Sequence, residues 1–259
     1  MKKLKFLGVM AMAALLFTSC LDGGNNEQSG AAIGVVDFSM EAMKNLAYVN
    51  DYTALYSPQF ESLTTGDCIV FPYTINYDDP MNSGTNKYLT ATVAGYNKLD
   101  EGLLVTTVDT ADIRKNEITT MDASVISSDG TGYGCGTVKN YLFLSSSHPN
   151  ISSDQKNMYE LQYDPSQTPK EVEGKRVYDF FLRVVKQADG KGTVGTNTLN
   201  YVFRAGSAIE MLKSKEKADN QDALYIRLNY IKEFNKDTTA ATWGTSKLMG
   251  FPILKETTN

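Results

Sequence analysis

The only histidine, His148, follows Ser145-Ser146-Ser147 and precedes Pro149, so a serine nucleophile served by a histidine base is the first chemistry to weigh. No Gly-x-Ser-x-Gly turn occurs in the chain to present such a serine. A histidine before proline reads instead as a structural or solvated loop residue, titrating at roughly pH 6.5 where exposed. Ser153-Asp154-Gln155-Lys156 and Ser214-Lys215-Glu216-Lys217 both satisfy Ser-x-x-Lys, but neither has the companion motifs that make this pattern an acylating site. Asp78, Asp79, Asn82 and Asn86 put oxygen ligands in one loop, without the glutamate that closes a calcium hand, so the loop reads as a turn. One histidine and few cysteines are too few ligands for a transition metal. Paired carboxylates could serve glycoside hydrolysis, yet a chain with one tryptophan, Trp243, has little with which to line a deep sugar cleft. Gly130, Gly132, Gly134 and Gly136 alternate with Thr131, Tyr133, Cys135 and Thr137, which is not the spacing of a phosphate-cradling loop. The expectation is no catalytic residue, no metal and no cofactor.

One residue does carry chemistry. Lys2, Lys3 and Lys5 precede an apolar run from Phe6 to Phe17, and Leu15-Leu16-Phe17-Thr18-Ser19-Cys20 closes it on a cysteine. The run falls short of the roughly 20 apolar residues that span a bilayer but suits a secretion signal. The order resembles the lipobox of bacterial lipoproteins, with Phe17 where Leu, Val or Ile is usual. Cleavage before Cys20 would leave that residue N-terminal, with acyl chains on its thiol and amine. Several chains on one residue exceed what stable anchoring requires. The expected location is therefore the cell envelope, in the outer membrane, held by lipid rather than by a span.

The formal net charge is −5, and loss of the three signal lysines makes the remainder more acidic. An acidic surface repels phosphate backbones, so nucleic acid is excluded as a partner. Fifteen Tyr and eleven Phe, with many Thr and Val, favour strands. Cys68 and Cys135 fall in different halves of the chain and are expected as separate, buried, reduced thiols.

The elements follow from alternation. Residues 1–19 read as the signal peptide and 20–32, polar and without period, as a flexible tether. Strands are expected at Ile33–Phe38, Leu46–Val49 and Tyr52–Tyr56, the last two joined by a tight turn at Asn50-Asp51. From Ile69 the pattern is cleanest: Ile69, Phe71, Tyr73, Ile75 and Tyr77 share one face. Pro72 in the same run marks an edge or a bulge. Tyr88–Tyr96 is expected as its partner, and Leu103–Val108 as a fifth strand of a small closed barrel spanning 33–109. Asp109–Ser128, polar and Thr-rich, reads as a linker. Beyond it, six or seven strands and one short helix, Ala208–Lys217, form an antiparallel β-sandwich over 120–259. The fold class is thus all-β, an OB-like barrel followed by a sandwich.

Several short motifs together resemble the NigD-like lipoproteins of Gram-negative gut and oral anaerobes. They are the turn Asn50-Asp51, Ser57-Pro58, and Leu63-Thr64-Thr65-Gly66-Asp67 leading into Val70-Phe71-Pro72-Tyr73-Thr74-Ile75. The resemblance implies an OB-like N-terminal domain and an immunoglobulin-like C-terminal one, in a cell-envelope lipoprotein. The functional expectation is a non-enzymatic binding module for an envelope protein or glycan; the alternative is an accessory subunit of a surface fibre. With Leu224, Ile226, Leu228 and Tyr230 inward, Tyr225, Arg227 and Asn229 should face out with Arg204, and these four form the candidate binding surface. Asp109-Thr110-Ala111 and Asp237-Thr238-Thr239 resemble triplets that some anaerobes O-glycosylate.

If Cys20 is the anchor, metabolic labelling with palmitate marks the wild-type chain and leaves Cys20→Ser unlabelled in the soluble fraction. A serine variant that stays in the membrane overturns the assignment.

Overall fold

The computed structural model describes residues 26–83, 86–126 and 136–253. Cys20, the signal, Cys135 and most of the alternating glycines lie outside the described residues.

The first sheet is built from β1 (Glu27–Ser39), β2 (Lys44–Tyr48), β3 (Ala54–Tyr56), β4 (Cys68–Asn76), β5 (Leu89–Thr90) and β6 (Asn97–Lys98), in the order β5-β3-β2-β1-β4-β6. β1 starts inside the stretch expected as tether. Its residues 27–32 lack a hydrophobic period, but they pair in register with β4, from Glu27 opposite Asn76 to Val35 opposite Cys68. Small side chains are what this edge needs, because the Tyr73 ring lies across Gly30, where a Cβ would sit 3.2 Å from the hydroxyl oxygen. The hairpin between β2 and β3 holds, with a longer loop than a two-residue turn. Asn50 Oδ1 accepts the amides of Tyr52 and Thr53, at 2.9 and 2.7 Å.

Of the face expected in β4, Ile69, Phe71, Tyr73 and Ile75 are buried and Pro72 opposite is exposed, but Tyr77 lies past the end of the strand and is exposed, and Val70 on the other face is buried. β4 pairs with β6 at Ile69 and Val70 and bridges Thr92 at Thr74. Pro72 falls between these contacts, where its missing N–H leaves no partner without a bond. Phe60, Phe71 and Leu55 fill the inside, with the Phe60 and Phe71 rings edge to face at 5.1 Å.

The second sheet contains β7 (Asp100–Val105), β8 (Asp122–Val125), β9 (Leu142–Ser152), β10 (Lys156–Gln162), β11 (Lys170–Val172), β12 (Lys175–Ala188), β13 (Val194–Phe203), β14 (Ala223–Phe234), β15 (Ala241–Thr245) and β16 (Met249–Pro252). Its order is β15-β14-β12-β10-β7-β13-β9-β8, with β11 on β12 and β16 on β14. The expected fifth barrel strand is therefore misplaced: β7 runs parallel to β10 and β13 in this sheet. Gly102 permits the insertion, since a Cβ there would run into the Phe203 ring and the Tyr159 carbonyl oxygen. β12 and β14 are parallel too, so the sheet is mixed where an antiparallel one was expected. The all-β reading stands.

The sheet curls over one core. Its two ends approach until the Thr120 amide donates to the Ile231 carbonyl at 2.8 Å and the Tyr230 hydroxyl to the Met121 carbonyl at 3.2 Å. Alternate residues of every long strand enter this core, including Leu144, Leu161, Phe180, Leu182, Leu228 and Phe203. Helix α1 (Gly206–Ala218), the one α-helix among the described residues, closes one end with Ala208, Ile209 and Leu212. A third, smaller cluster joins the two sheets: Val35 and Cys68 from the first pack on Val138, Tyr141, Phe143 and Val202 from the second.

The segment expected as a linker is clamped. Arg183, on β12, is buried, and its guanidinium donates to both carboxylate oxygens of Glu117 at 2.6 and 2.7 Å. It also donates to the carbonyl of Asp109 at 2.9 Å and to that of Asp112. Arg114 adds a two-pronged pair with Glu160, at 2.8 and 2.5 Å. Composition marked this stretch as polar, but a polar stretch can be bound as tightly as an apolar one when a buried cation takes its carbonyls.

Arg183→Met leaves Glu117 as a buried, unpaired carboxylate, which should cost about 3–5 kcal/mol of unfolding free energy in urea titration. The same variant should expose Arg114 to trypsin, whereas the wild-type segment resists cleavage. A loss below about 1 kcal/mol would show that the clamp contributes nothing.

Candidate functional site

The four surface residues chosen from β-strand alternation do not form one site. Leu224, Ile226, Leu228 and Tyr230 are inward as expected. On the other face of β14, however, Asn229 is buried and Arg227 is only partly exposed. Both close on Asp179 of β12: Arg227 Nε donates to Asp179 Oδ1 at 2.9 Å and Asn229 Nδ2 to the same oxygen at 3.0 Å. Lys170 Nζ takes Asp179 Oδ2 at 2.8 Å. Burial pulls the Asp179 carboxyl upward, but the bonds from Asn229, Lys170 and Arg227 outweigh it and hold it below the ordinary value. Tyr225 is half-buried beneath Lys175, whose Nζ lies 4.4 Å from the ring centre. The face is a self-satisfied polar network, because parallel pairing of β14 with β12 sets Arg227 opposite Asp179.

Arg204 lies apart from this group, just beyond β13, and is exposed. It pairs loosely with Glu101, at 3.3 and 3.4 Å, donates to the Tyr141 hydroxyl at 2.5 Å and sits 4.9 Å over that ring. Val202, two residues earlier and within β13, is buried against the first sheet. The outside of the second sheet is covered there by the first module. In the same seam Cys68 is free and its thiol is pushed up to about 12, chiefly by burial, so it is an inert apolar filler. Thr110 and Thr238, of the two triplets, are both exposed.

The loop from Asp78 to Asn86 uses its side chains on itself and its neighbours. Asp79 Oδ1 caps the Met81 amide at 2.9 Å, and Asn82 bonds the carbonyls of Asn76 and Thr90.

His148 is not in a loop. It lies within β9 and is fully buried. The Thr119 carbonyl is 3.0 Å from Nδ1, which therefore carries the proton; Nε2 then accepts from Ser146 Oγ at 2.6 Å. Ser146 Oγ in turn accepts from the Tyr201 hydroxyl at 2.7 Å. The order serine–histidine–carbonyl has the shape of a nucleophile and its base, but Ser146 is also buried and no substrate reaches it. What the relay does is tie β9 to β13 and to the segment before β8. Burial pulls the imidazole down to about 4, against a small opposing effect from the Thr119 carbonyl.

An open space lies between the modules. It is a cavity of about 340 Å³. From the first sheet it takes Ala31, Ile33, Leu55, Ile75 and Leu89; from the second module, Ile126, Val138 and Phe143. Gln28, Asn50, Thr53, Tyr73, Tyr77 and Thr137 supply its polar side chains, and among the described residues none of the lining is charged. Tyr77 donates to Gln28 Oε1 at 2.5 Å. The space exists because β1 outruns β2: only residues 35–39 pair with β2, while residues 27–34 continue alone beside β4. No periodicity marks it, since its walls come from strands far apart in the chain.

Two linked β modules, the first OB-like, meeting over an uncharged cavity, define a class of two-module all-β proteins. Residues 24–97 match the family described as the lipoprotein OB domain. Among solved structures, an uncharacterized protein from Parabacteroides merdae ATCC 43184 is 27% identical, with a TM-score of 0.74 over 87% of this chain and 99% of that one. A candidate lipoprotein from Bacteroides fragilis NCTC 9343 shares the fold at 10% identity, TM-score 0.53, over 88% of this chain and 99% of that one. A NigD-like immunity protein from Bacteroides caccae ATCC 43185 superposes more loosely, with a TM-score of 0.43 and 14% identity over 83% and 91% of the two chains. No curated protein matches. The OB-domain match bears out the lipoprotein resemblance read from the sequence, and it ends at residue 97, before β7 enters the second sheet.

His148 should be visible in the pH dependence of stability. The unfolded chain binds its proton near 6.5 and the folded chain only at about 4. Stability is therefore complete above about pH 6.5 and is lost as the pH falls toward 4, by about 3 kcal/mol in all. Urea unfolding of the wild type should show this fall beginning above the range of carboxylates, and His148→Gln should flatten it. Coincident profiles would contradict the buried neutral imidazole.

Proposed function

We propose that the chain is a non-enzymatic lipoprotein of the outer membrane, anchored by acylated Cys20, whose two β modules act as one binding unit with the ligand held at their junction. The observation that carries this reading is the cavity, walled by both modules and, among the described residues, free of carboxylate, imidazole, amine, guanidinium and thiol in its lining. Acid–base and covalent catalysis need such groups within reach of the reacting atom; recognition does not. A lipoprotein OB domain at the N-terminus supports the envelope location. The fibre-subunit alternative is less favoured, because the C-terminal strand β16 is already paired with β14 and keeps Phe251 in the core.

The test is native mass spectrometry of the full-length chain released from membranes, beside Val49→Trp, which fills the cavity from its half-buried wall. A small-molecule adduct on the wild type that disappears in the folded variant supports the binding unit. Gel-filtration ladders without any adduct would favour fibre assembly instead.

A further inference from the structure

Tyr73 is the polar group that gives the cavity a direction. Its side chain is more than nine-tenths buried, and it lies across Gly30 with the hydroxyl at the cavity wall. Among the described residues that hydroxyl has no hydrogen-bond partner, whereas Tyr77 beside it is satisfied by Gln28. Burial raises the phenol above its ordinary value, so it is neutral and able to donate. The ring is buried but the hydroxyl opens into the cavity, so its hydrogen bond is free for whatever molecule occupies that space.

The remaining wall limits what that molecule is. Ile33, Leu55, Leu89 and Phe143 present hydrocarbon. Among the described residues no cation lines the cavity to balance a carboxylate or phosphate, and burying an unpaired charge there would be prohibitive.

We propose that this cavity binds a small neutral amphiphile, an apolar chain or ring bearing one carbonyl or hydroxyl oxygen, which accepts a hydrogen bond from the Tyr73 hydroxyl. The assignment rests on the binding-unit reading above and narrows it to a chemical class. Its volume of about 340 Å³ suits a single compact molecule and not a polymer.

The experiment uses the full-length chain in lipid nanodiscs, titrated calorimetrically against empty nanodiscs with three probes: 2-nonanone, nonane and nonanoate. The ketone should bind at least tenfold more tightly than either of the others. Tyr73→Phe keeps the ring and removes the donor, so it should lower ketone affinity to the level of nonane without altering thermal stability. Val49→Trp should abolish binding of every probe, with Thr53→Phe at the rim as a second filler should the first not fold. Equal binding of ketone and nonane to the wild type, or an unchanged ketone affinity in Tyr73→Phe, overturns the ligand class while leaving the cavity as a site. Probe binding that neither filler reduces overturns the site itself, and the binding-unit reading falls with it.

Discussion

A buried guanidinium is among the costlier groups a β protein can hold, and here the second module is arranged around one. Arg183 has no exposed surface to speak of, so its donors must be met by the protein, and Glu117 with two backbone carbonyls meets them. Those acceptors lie on the segment between β7 and β8, which has no hydrophobic pattern of its own. Fixing that segment positions the amides of Ile118 and Thr120, which bond Val184 and Ile231 and bring the ends of the ten-stranded sheet together. Without the clamp, β7 and β8 would be joined by a free polar strap and the curl of the sheet would lack its closing contacts.

The same closure explains the histidine. Thr119 belongs to the clamped segment, and its carbonyl sets the tautomer of His148. The relay through Ser146 to Tyr201 then joins three stretches of chain by hydrogen bonds inside the protein, where each bond is strong and each missing one expensive. A constellation that resembles catalytic chemistry in type and distance is thus a structural staple, distinguished from an active site by burial alone.

The junction between modules is built on a different principle. One cluster of apolar side chains, with Cys68 and Val202 among them, seals part of the seam. Beside it β1 extends past the end of β2, and the walls separate into a cavity. Glycine and alanine on that extension let Tyr73 cross the strand, so the backbone composition that makes β1 look like a tether is what brings a phenol hydroxyl to the cavity wall.

Local structure was legible in the residues: the period of two in β4, β12 and β14, helix α1 and the inward set of β14 all follow from spacing, because periodicity reports burial directly. Partner choice was not. Period two says that a strand has two faces but not which strand lies beside it. Spacing alone thus puts β7 in the first sheet, makes Glu27–Ala32 a tether and leaves Arg227 and Asn229 in solvent, whereas β7 pairs in the second sheet, Glu27–Ala32 pairs with β4, and Asp179 on a neighbouring strand engages both side chains. His148 looks like a loop residue in the sequence because the groups that bury it, Thr119 and Ser146, are brought to it by the fold, and a polar side chain is buried only when its hydrogen bonds are supplied. The cavity belongs wholly to the tertiary structure. It arises where paired strands of unequal length leave space between two modules, and no single segment contains it.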